Sequence, residues 1–296
     1  IVYVEASPVY TLNDVSPVEA SGATLFHDNP YLSLNGRGVM VGIIDSGIDY
    51  MNKEFMREDN TTRISYLWDQ SIEDEKAPSS FNYGVEFSEN QINDAINAGL
   101  SGGDPYSIVN SRDEIGHGTM VAGIIGARGR ESEEIIGAAP DCNFTIVKLR
   151  EASETYLRNF GVTNSGVGRY ENVDLILGIR FILNKARQLN VPVVIYIPAG
   201  TNVGSHDGTS ILERFIGDAS KRRGLAVVAC TGNEGDSDTH TSGKLESTGD
   251  IKTIELSVDR RQQELYMEIW CNKPDKISLS IVSPSGEFID KIPARL

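Results

Sequence analysis

The sequence has no long hydrophobic run and a marked shortage of basic residues. No stretch approaches the roughly 18 consecutive apolar residues of a membrane helix, so we expect no membrane association. Its 42 acidic and 27 basic residues give a net charge of −15, which argues against binding to nucleic acid phosphates. The 296 residues, 40% of them hydrophobic, are enough for one large globular domain and an attached piece.

Cysteine and histidine are sparse as well. The 3 cysteines show no CxxC spacing, and we expect Cys142 and Cys230 to be buried because their neighbours are apolar. The 4 histidines lack HExxH or any other paired spacing, which argues against a zinc site. The residues therefore predict neither a metal centre nor a disulfide framework.

Apolar strands and helices alternate over most of the chain. The predicted strands are Val39–Ile44, "ISYLWDQS", "CNFTIVKLR", "PVVIYIPAG" and "LAVVACTGNEG". The predicted helices are "HGTMVAGIIGA", "NVDLILGIRFILNKARQLN", "GTSILERFIGDASKRRG" and "SENQINDAINAG", the last beginning after Ser88 and ending at Gly99. This alternation predicts an α/β fold, with helices on both faces of a mostly parallel sheet.

The texture changes after about Asp236. Apolar and polar residues alternate in "TIELSV" and "ISLSIV", with turn signals between such stretches. This pattern predicts antiparallel strands in residues 248–296, packed beside the α/β body.

An acidic residue ends the first predicted strand. Burying the Asp45 carboxylate costs several kcal/mol unless it is paired. The best partner is His117 in "DEIGHGTMVAG", where flanking glycines allow the backbone to approach closely. An aspartate that orients an imidazole is half of an acyl-transfer triad, although such a pair alone can also be a structural hydrogen bond.

Three motifs decide between these alternatives. "GIIDSGID", "GHGTMVAGIIGA" and "VVACTGNEG", in this order, resemble the subtilisin-like serine protease (subtilase) family. The resemblance implies a subtilisin-like catalytic domain in residues 1–240 and assigns three roles. Asp45 orients the base, His117 is the general base, and the Asn233 amide donates to the oxyanion.

The family nucleophile has no counterpart in the sequence. Nothing after Asn233 matches its Gly-Thr-Ser-Met-Ala type motif, and the Gly-Thr-Ser at 208–210 lies upstream and opens a helix. We therefore interpret Ser210 as a helix N-cap or first-turn residue. Either the nucleophile lies beyond Leu296 or the protein lacks one.

The spacing of 72 positions from Asp45 to His117, together with stretches such as "TTRISYLWDQS", narrows the resemblance to the clostridial Csp germination proteases. That group carries a jelly-roll module between the oxyanion asparagine and the serine, and we expect residues 241–296 to begin it. The resemblance implies a protein or peptide substrate, with the protein's own propeptide as a second candidate partner. It also suggests a spore or extracellular location and activation of a spore cortex hydrolase.

The resemblance also implies a substrate cleft. A peptide would add as a strand between "GVGRYEN" and "IPAG". The substrate-binding residues by this match are Gly166, Gly168, Pro198, Ala199, Gly200 and Gly232. Pro198 departs from the usual serine and removes an N–H group from the cleft wall.

Calcium is a further property of many subtilases. The loop "ARGRESEEIIG" lacks the asparagine-rich ligand pattern, although Glu54 falls near a family ligand position. We predict no cofactor, and the resemblance leaves calcium open.

Two other functions fit parts of the sequence. An inactive pseudoprotease that acts as a binding or signalling partner would also keep the subtilase body. A carbohydrate- or ligand-binding module in the β-patterned tail rests on about 50 residues, with Trp270 as a weak aromatic platform.

Overall fold

The strand that ends at Asp45 lies inside a six-stranded sheet. In spatial order the strands are β3 (Val85–Ser88), β2 (Ile64–Asp69), β4 (Asn143–Lys148), β1 (Met40–Asp45), β5 (Val193–Ile197) and β6 (Leu225–Ala229). Neighbouring strands are parallel except β2 and β3. Every residue of β1 is buried, as expected for a strand covered on both faces.

The computed structural model describes most of the chain. The described residues are 17–27, 29, 31–32, 34–73, 81–131, 135–159, 166–204, 207–233, 235–260, 265, 267–272 and 274–293. Its helices are α1 (Pro17–Ser21), α2 (Thr24–His27), α3 (Glu89–Leu100), α4 (His117–Gly126), α5 (Glu154–Asn159), α6 (Asn172–Leu189) and α7 (Ile211–Ser220). Two short 3₁₀ turns, Lys53–Phe55 and Pro105–Ser107, lie in the connections.

The helices cover both faces of the sheet. α3 and α4 pack on one hydrophobic cluster, while α6 and α7 pack on the other. A Cβ added to Gly42 in β1 would lie 2.5 Å from the Ile182 side chain of α6, so the glycine allows close helix–sheet packing. The predicted α/β class, with a mostly parallel sheet covered on both faces, is confirmed.

Two local predictions about α3 have different outcomes. Ser88 caps the helix as predicted, and Gln91 completes a capping box with it. The helix does not end at Gly99 but continues to Leu100. A Cβ at Gly99 would lie 2.7 Å from the Met51 methyl carbon, so this glycine serves packing rather than termination.

Cys230 corrects another expectation. Cys142 is buried, but Cys230 and Cys271 are exposed, and all three thiols are free. Cys230 follows β6, which is an edge strand of the described sheet and is itself largely exposed. The apolar neighbours of Cys230 therefore do not imply burial, because nothing in the described residues covers the outer side of this edge.

The C-terminal region holds a small antiparallel sheet. β7 (Leu279–Val282) pairs with β8 (Phe288–Ile292), in agreement with the alternation in "ISLSIV". The stretch 253–258, also predicted to be a strand, has no ladder pairing in the structure. Alternation alone does not make a strand, since the ladder needs a partner.

The helices also bear on the membrane question. Among the described residues, none of the helices combines the length and apolar character needed to cross a membrane.

Candidate active site

Asp45 and His117 meet at the carboxyl edge of the sheet. The His117 Nδ1 atom lies 2.9 Å from both carboxylate oxygens of Asp45. Asp45 is only 5% exposed, and its Oδ1 also accepts a 2.6 Å bond from the Ser46 N–H. The His117 side chain is 43% exposed, so the ring is held at a buried carboxylate while part of it reaches solvent.

Close backbone packing makes this geometry possible. α4 begins at His117, and Gly118 follows at once. A Cβ at Gly118 would lie 2.2 Å from the Gly47 carbonyl oxygen and 3.2 Å from the Asp45 Cβ. Only glycine lets the first turn of α4 approach the end of β1 this closely.

A second carboxylate, Asp113, holds the beginning of α4. Its Oδ1 accepts from the Ser46 hydroxyl at 2.7 Å and the Gly116 N–H at 2.9 Å. Its Oδ2 accepts from the Thr119 N–H at 2.8 Å and the Thr119 hydroxyl at 2.6 Å. The Ser46 hydroxyl in turn accepts from the Gly118 N–H. Side chains from outside the helix thus satisfy N–H groups that the first turn leaves free.

This network also affects the charge on Asp113. Burial raises the pKa of its carboxyl, but the bonds from Thr119, Ser46 and Gly116 outweigh burial and hold the pKa below its ordinary value. The dipole of α4 also stabilises a negative charge at the N-terminus of the helix. The sequence interpretation assigned no role to Asp113, and the signal it overlooked was an acid four residues before His117.

Asn233 and the predicted cleft wall lie at the same edge of the sheet. Pro198, Ala199 and Gly200 follow the end of β5, which neighbours β1. Asn233 and Gly232 follow the end of β6, the next strand, and both are exposed. Because all three strands run parallel, their carboxyl ends share one edge, where ligands of such sheets bind.

The other side of the predicted cleft is the segment 166–170. Gly168 has φ +79°, in the left-handed region, and Gly166 and Gly168 are both exposed. Tyr170 is half-buried, and its pKa is raised by burial first and then by the Glu151, Asp45 and Asp113 carboxylates. Tyr170 therefore lies within electrostatic range of the Asp45 site.

Ser210 is a helix cap. Its hydroxyl accepts a 3.2 Å bond from the Glu213 N–H, and the Glu213 carboxylate accepts a 2.9 Å bond from the Ser210 N–H. This reciprocal pair is a capping box at the start of α7. The hydroxyl serves the helix backbone, as the sequence interpretation expected.

Glu54, the candidate calcium ligand, binds the backbone of the loop that follows α4. Its Oε2 accepts from the Arg128 N–H at 2.7 Å, and its Oε1 accepts from the Glu131 N–H at 2.6 Å. Burial raises the pKa of Glu54, but bonds from this loop backbone lower it below its ordinary value. These N–H donors satisfy the ionised carboxylate, and N–H groups cannot bind a cation, which needs oxygen ligands.

Arg63 binds backbone carbonyl groups at the C-terminal end of α4 and next to it. Its guanidinium donates to the carbonyl oxygens of Gly126 at the end of α4 and of Glu54. It also donates to the carbonyls of Pro140 and Cys142.

Within the described residues no group of three or more histidine, cysteine, aspartate or glutamate side chains could hold a metal ion.

An apolar groove lies beside α4. It has a volume of about 470 Å³. Its lining includes Val121 and Ile125 of α4, Val41 of β1, Tyr196 of β5 and Val228 of β6. Val228 is 45% exposed, which is unusual for a valine on a sheet covered by helices.

Comparisons with known proteins agree with the three motifs. The model of the Subtilase family matches residues 36–255. A subtilisin from Bacillus sp. (strain TA39) is 29% identical over 133 residues, which are 45% of this chain and 27% of that protein.

One solved structure supports the same assignment. The Clostridium perfringens CspB protease is 27% identical, with a TM-score of 0.72 over 94% of this chain and 53% of that chain. Sphericase is more distant, at 19% identity and a TM-score of 0.43, over 72% of this chain and 53% of that chain. The chain thus spans about half the length of the CspB protease.

Proposed function

Because the chain belongs to the subtilase family of serine proteases, we propose that Asp45, His117 and Asn233 form the acid, base and oxyanion parts of an endopeptidase site. The observation that carries the proposal is the 2.9 Å contact between His117 Nδ1 and the buried Asp45 carboxylate. An ionised carboxylate can only accept, so the ring donates from Nδ1 and its Nε2 is left to accept a proton.

The chemistry follows from this arrangement. When a serine hydroxyl attacks a peptide carbonyl, Nε2 of His117 takes the hydroxyl proton and later gives it to the leaving amine. The nearby Asp45 charge stabilises the imidazolium formed between these steps. The Asn233 amide donates to the oxyanion, and its loss is expected to lower kcat by about 10²–10³-fold.

The substrate in this proposal is an extended peptide. It lies as an added strand between the segment 166–170 and the end of β5 at 198–200, with Gly232 at the wall of the pocket. The exposure of Gly166 and Gly168 supports this placement, since backbone without side chains lets another strand approach.

The nucleophile is proposed to lie outside the 296 residues. The Ser210 hydroxyl caps α7. The chain covers 53% of the CspB protease. The apolar groove beside α4 supports the proposal that the segment carrying the serine packs there, next to the base. Residues 241–296, with β7 and β8, are then the beginning of an inserted β module.

The Csp resemblance extends the proposal to a biological role. We infer that the protease activates a spore cortex hydrolase during germination. Spores that carry His117→Ala should leave that hydrolase in its precursor form, and normal processing in such spores would contradict this role.

A fluorophosphonate label and a fluorogenic peptide test the activity. We expect the full-length protein to be labelled and to hydrolyse the peptide, and the 296-residue chain to do neither. His117→Ala in the full-length protein should lower kcat by about 10⁶-fold.

Two results would change the interpretation. Labelling of the 296-residue chain that Ser210→Ala abolishes would show that Ser210 is a nucleophile and not only a cap. A full-length protein that takes no label and cleaves no peptide would favour the pseudoprotease.

A further inference from the structure

Glu151 binds the segment proposed to receive the substrate. Its Oε1 accepts a 2.6 Å bond from the Gly168 N–H, and its Oε2 accepts a 3.1 Å bond from the Arg169 N–H. The positive φ of Gly168 turns the backbone so that these two N–H groups converge on one carboxylate. Such consecutive N–H groups form an anion-binding concavity, and here the protein's own side chain fills it.

The position of Glu151 is tied to the Asp45 site. After β4 the Leu149 N–H donates to the Asp45 carbonyl oxygen at 2.8 Å. Ala152 then donates from its N–H to the Arg169 carbonyl oxygen at 2.7 Å. Glu151 lies between these two bonds, so it joins the segment 166–170 to the strand end that carries Asp45.

Resting on the function proposed above, we propose that Glu151 is a positioning residue for substrate binding. Its carboxylate fixes the 168–169 backbone at a set distance from Asp45, so that an incoming peptide meets an ordered edge. The Gly168 N–H is already used by Glu151, and the peptide therefore pairs with the remaining backbone groups of the segment. The residue acts through the segment and does not touch the reacting atoms.

Peptide affinity is the direct test. The dissociation constant of an extended ten-residue peptide is measured on full-length protein carrying His117→Ala, so that no cleavage occurs. Glu151→Ala should raise this constant by about fivefold, because the peptide must then order the 168–169 backbone as it binds, and this costs part of the binding free energy. Glu151→Gln should recover part of the loss, since one amide oxygen can still accept. Glu154→Ala is the matched control, because Glu154 is exposed and bonds to Arg158 on its own helix.

Two further readouts separate positioning from general damage. In the protein with His117 intact, Glu151→Ala should raise KM for the long peptide and leave kcat within about twofold. In the full-length protein carrying His117→Ala, Glu151→Ala should also accelerate hydrogen exchange at the amides of residues 168 and 169.

Several results would overturn the proposal. An unchanged peptide affinity in Glu151→Ala would show that Glu151 does not position the segment. A tighter affinity would show that its carboxylate competes with the substrate. Unchanged amide exchange at 168 and 169 would refute the contact itself. If the wild-type protein binds the peptide with the expected variant pattern but cleaves nothing, the protease proposal fails and the role of Glu151 stands.

Discussion

Asp113→Asn should destabilise the protein although it replaces a single oxygen by an amide nitrogen. The carboxylate accepts four hydrogen bonds, two on each oxygen, and all four partners are donors. Asparagine keeps one accepting oxygen, so two bonds are lost, and its NH₂ group then faces two groups that can only donate or already donate. At about 1 kcal/mol for each lost bond in this partly buried site, we expect a loss of about 2 kcal/mol.

Urea unfolding of the 296-residue chain at pH 7 measures this difference. Asp94→Asn is the matched control, because Asp94 lies on the exposed face of α3. A surface change of this kind is expected to stay within about 0.5 kcal/mol.

The pH dependence gives a second check. The pKa of Asp113 is lowered in the folded state, so its contribution is present above the unfolded pKa of about 3.9. That contribution is lost as the pH falls through the folded pKa. The deficit of Asp113→Asn should therefore shrink in acid. Equal stability of the two asparagine variants at pH 7, or a deficit that persists unchanged to pH 3, would refute the reasoning.

Two further substitutions test the supports of α4. Glu54→Gln should cost about 2 kcal/mol at pH 7, since the loop N–H groups lose a charged acceptor. Because the pKa of Glu54 is lowered, this cost should fall in acid, while EDTA should leave the wild-type melting temperature unchanged; a large shift with EDTA would reveal a metal contribution. Gly118→Ala should cost about 2–3 kcal/mol, because its Cβ would meet the Gly47 carbonyl at 2.2 Å. Gly123→Ala in the same helix is the control, where no described atom lies within 4 Å of the added Cβ, and equal melting temperatures for the two alanine variants would contradict the packing argument.

Features with a local or periodic signal could be predicted from the sequence. The apolar runs in the sequence predicted the buried strands β1, β4 and β5. The caps at Ser88 and Ser210 could be predicted because each serine stands immediately before a helical pattern. The pairing of Asp45 with His117 was predicted from the cost of an unpaired buried charge together with matched motifs.

Features that depend on distant contacts could not be predicted. The bond between Asp113 and Ser46 and the two bonds of Glu151 join segments that lie far apart in the sequence and have no periodicity. β3 is a four-residue antiparallel edge strand, too short to stand out from the polar region around it. The exposure of Cys230 depends on what covers β6, which its own neighbours do not reveal.

One connection, residues 46–63, holds both ends of the helix that carries His117. Ser46 accepts from the first turn of α4, and Arg63 donates to the Gly126 carbonyl at the other end. A helix fixed at both ends cannot slide along its axis, so the histidine cannot be displaced without breaking one of these contacts. In protein engineering, β1, this connection and α4 should therefore be transplanted between subtilases as a unit. A chimera with a junction inside 46–63 would change the register of the base rather than only a surface loop.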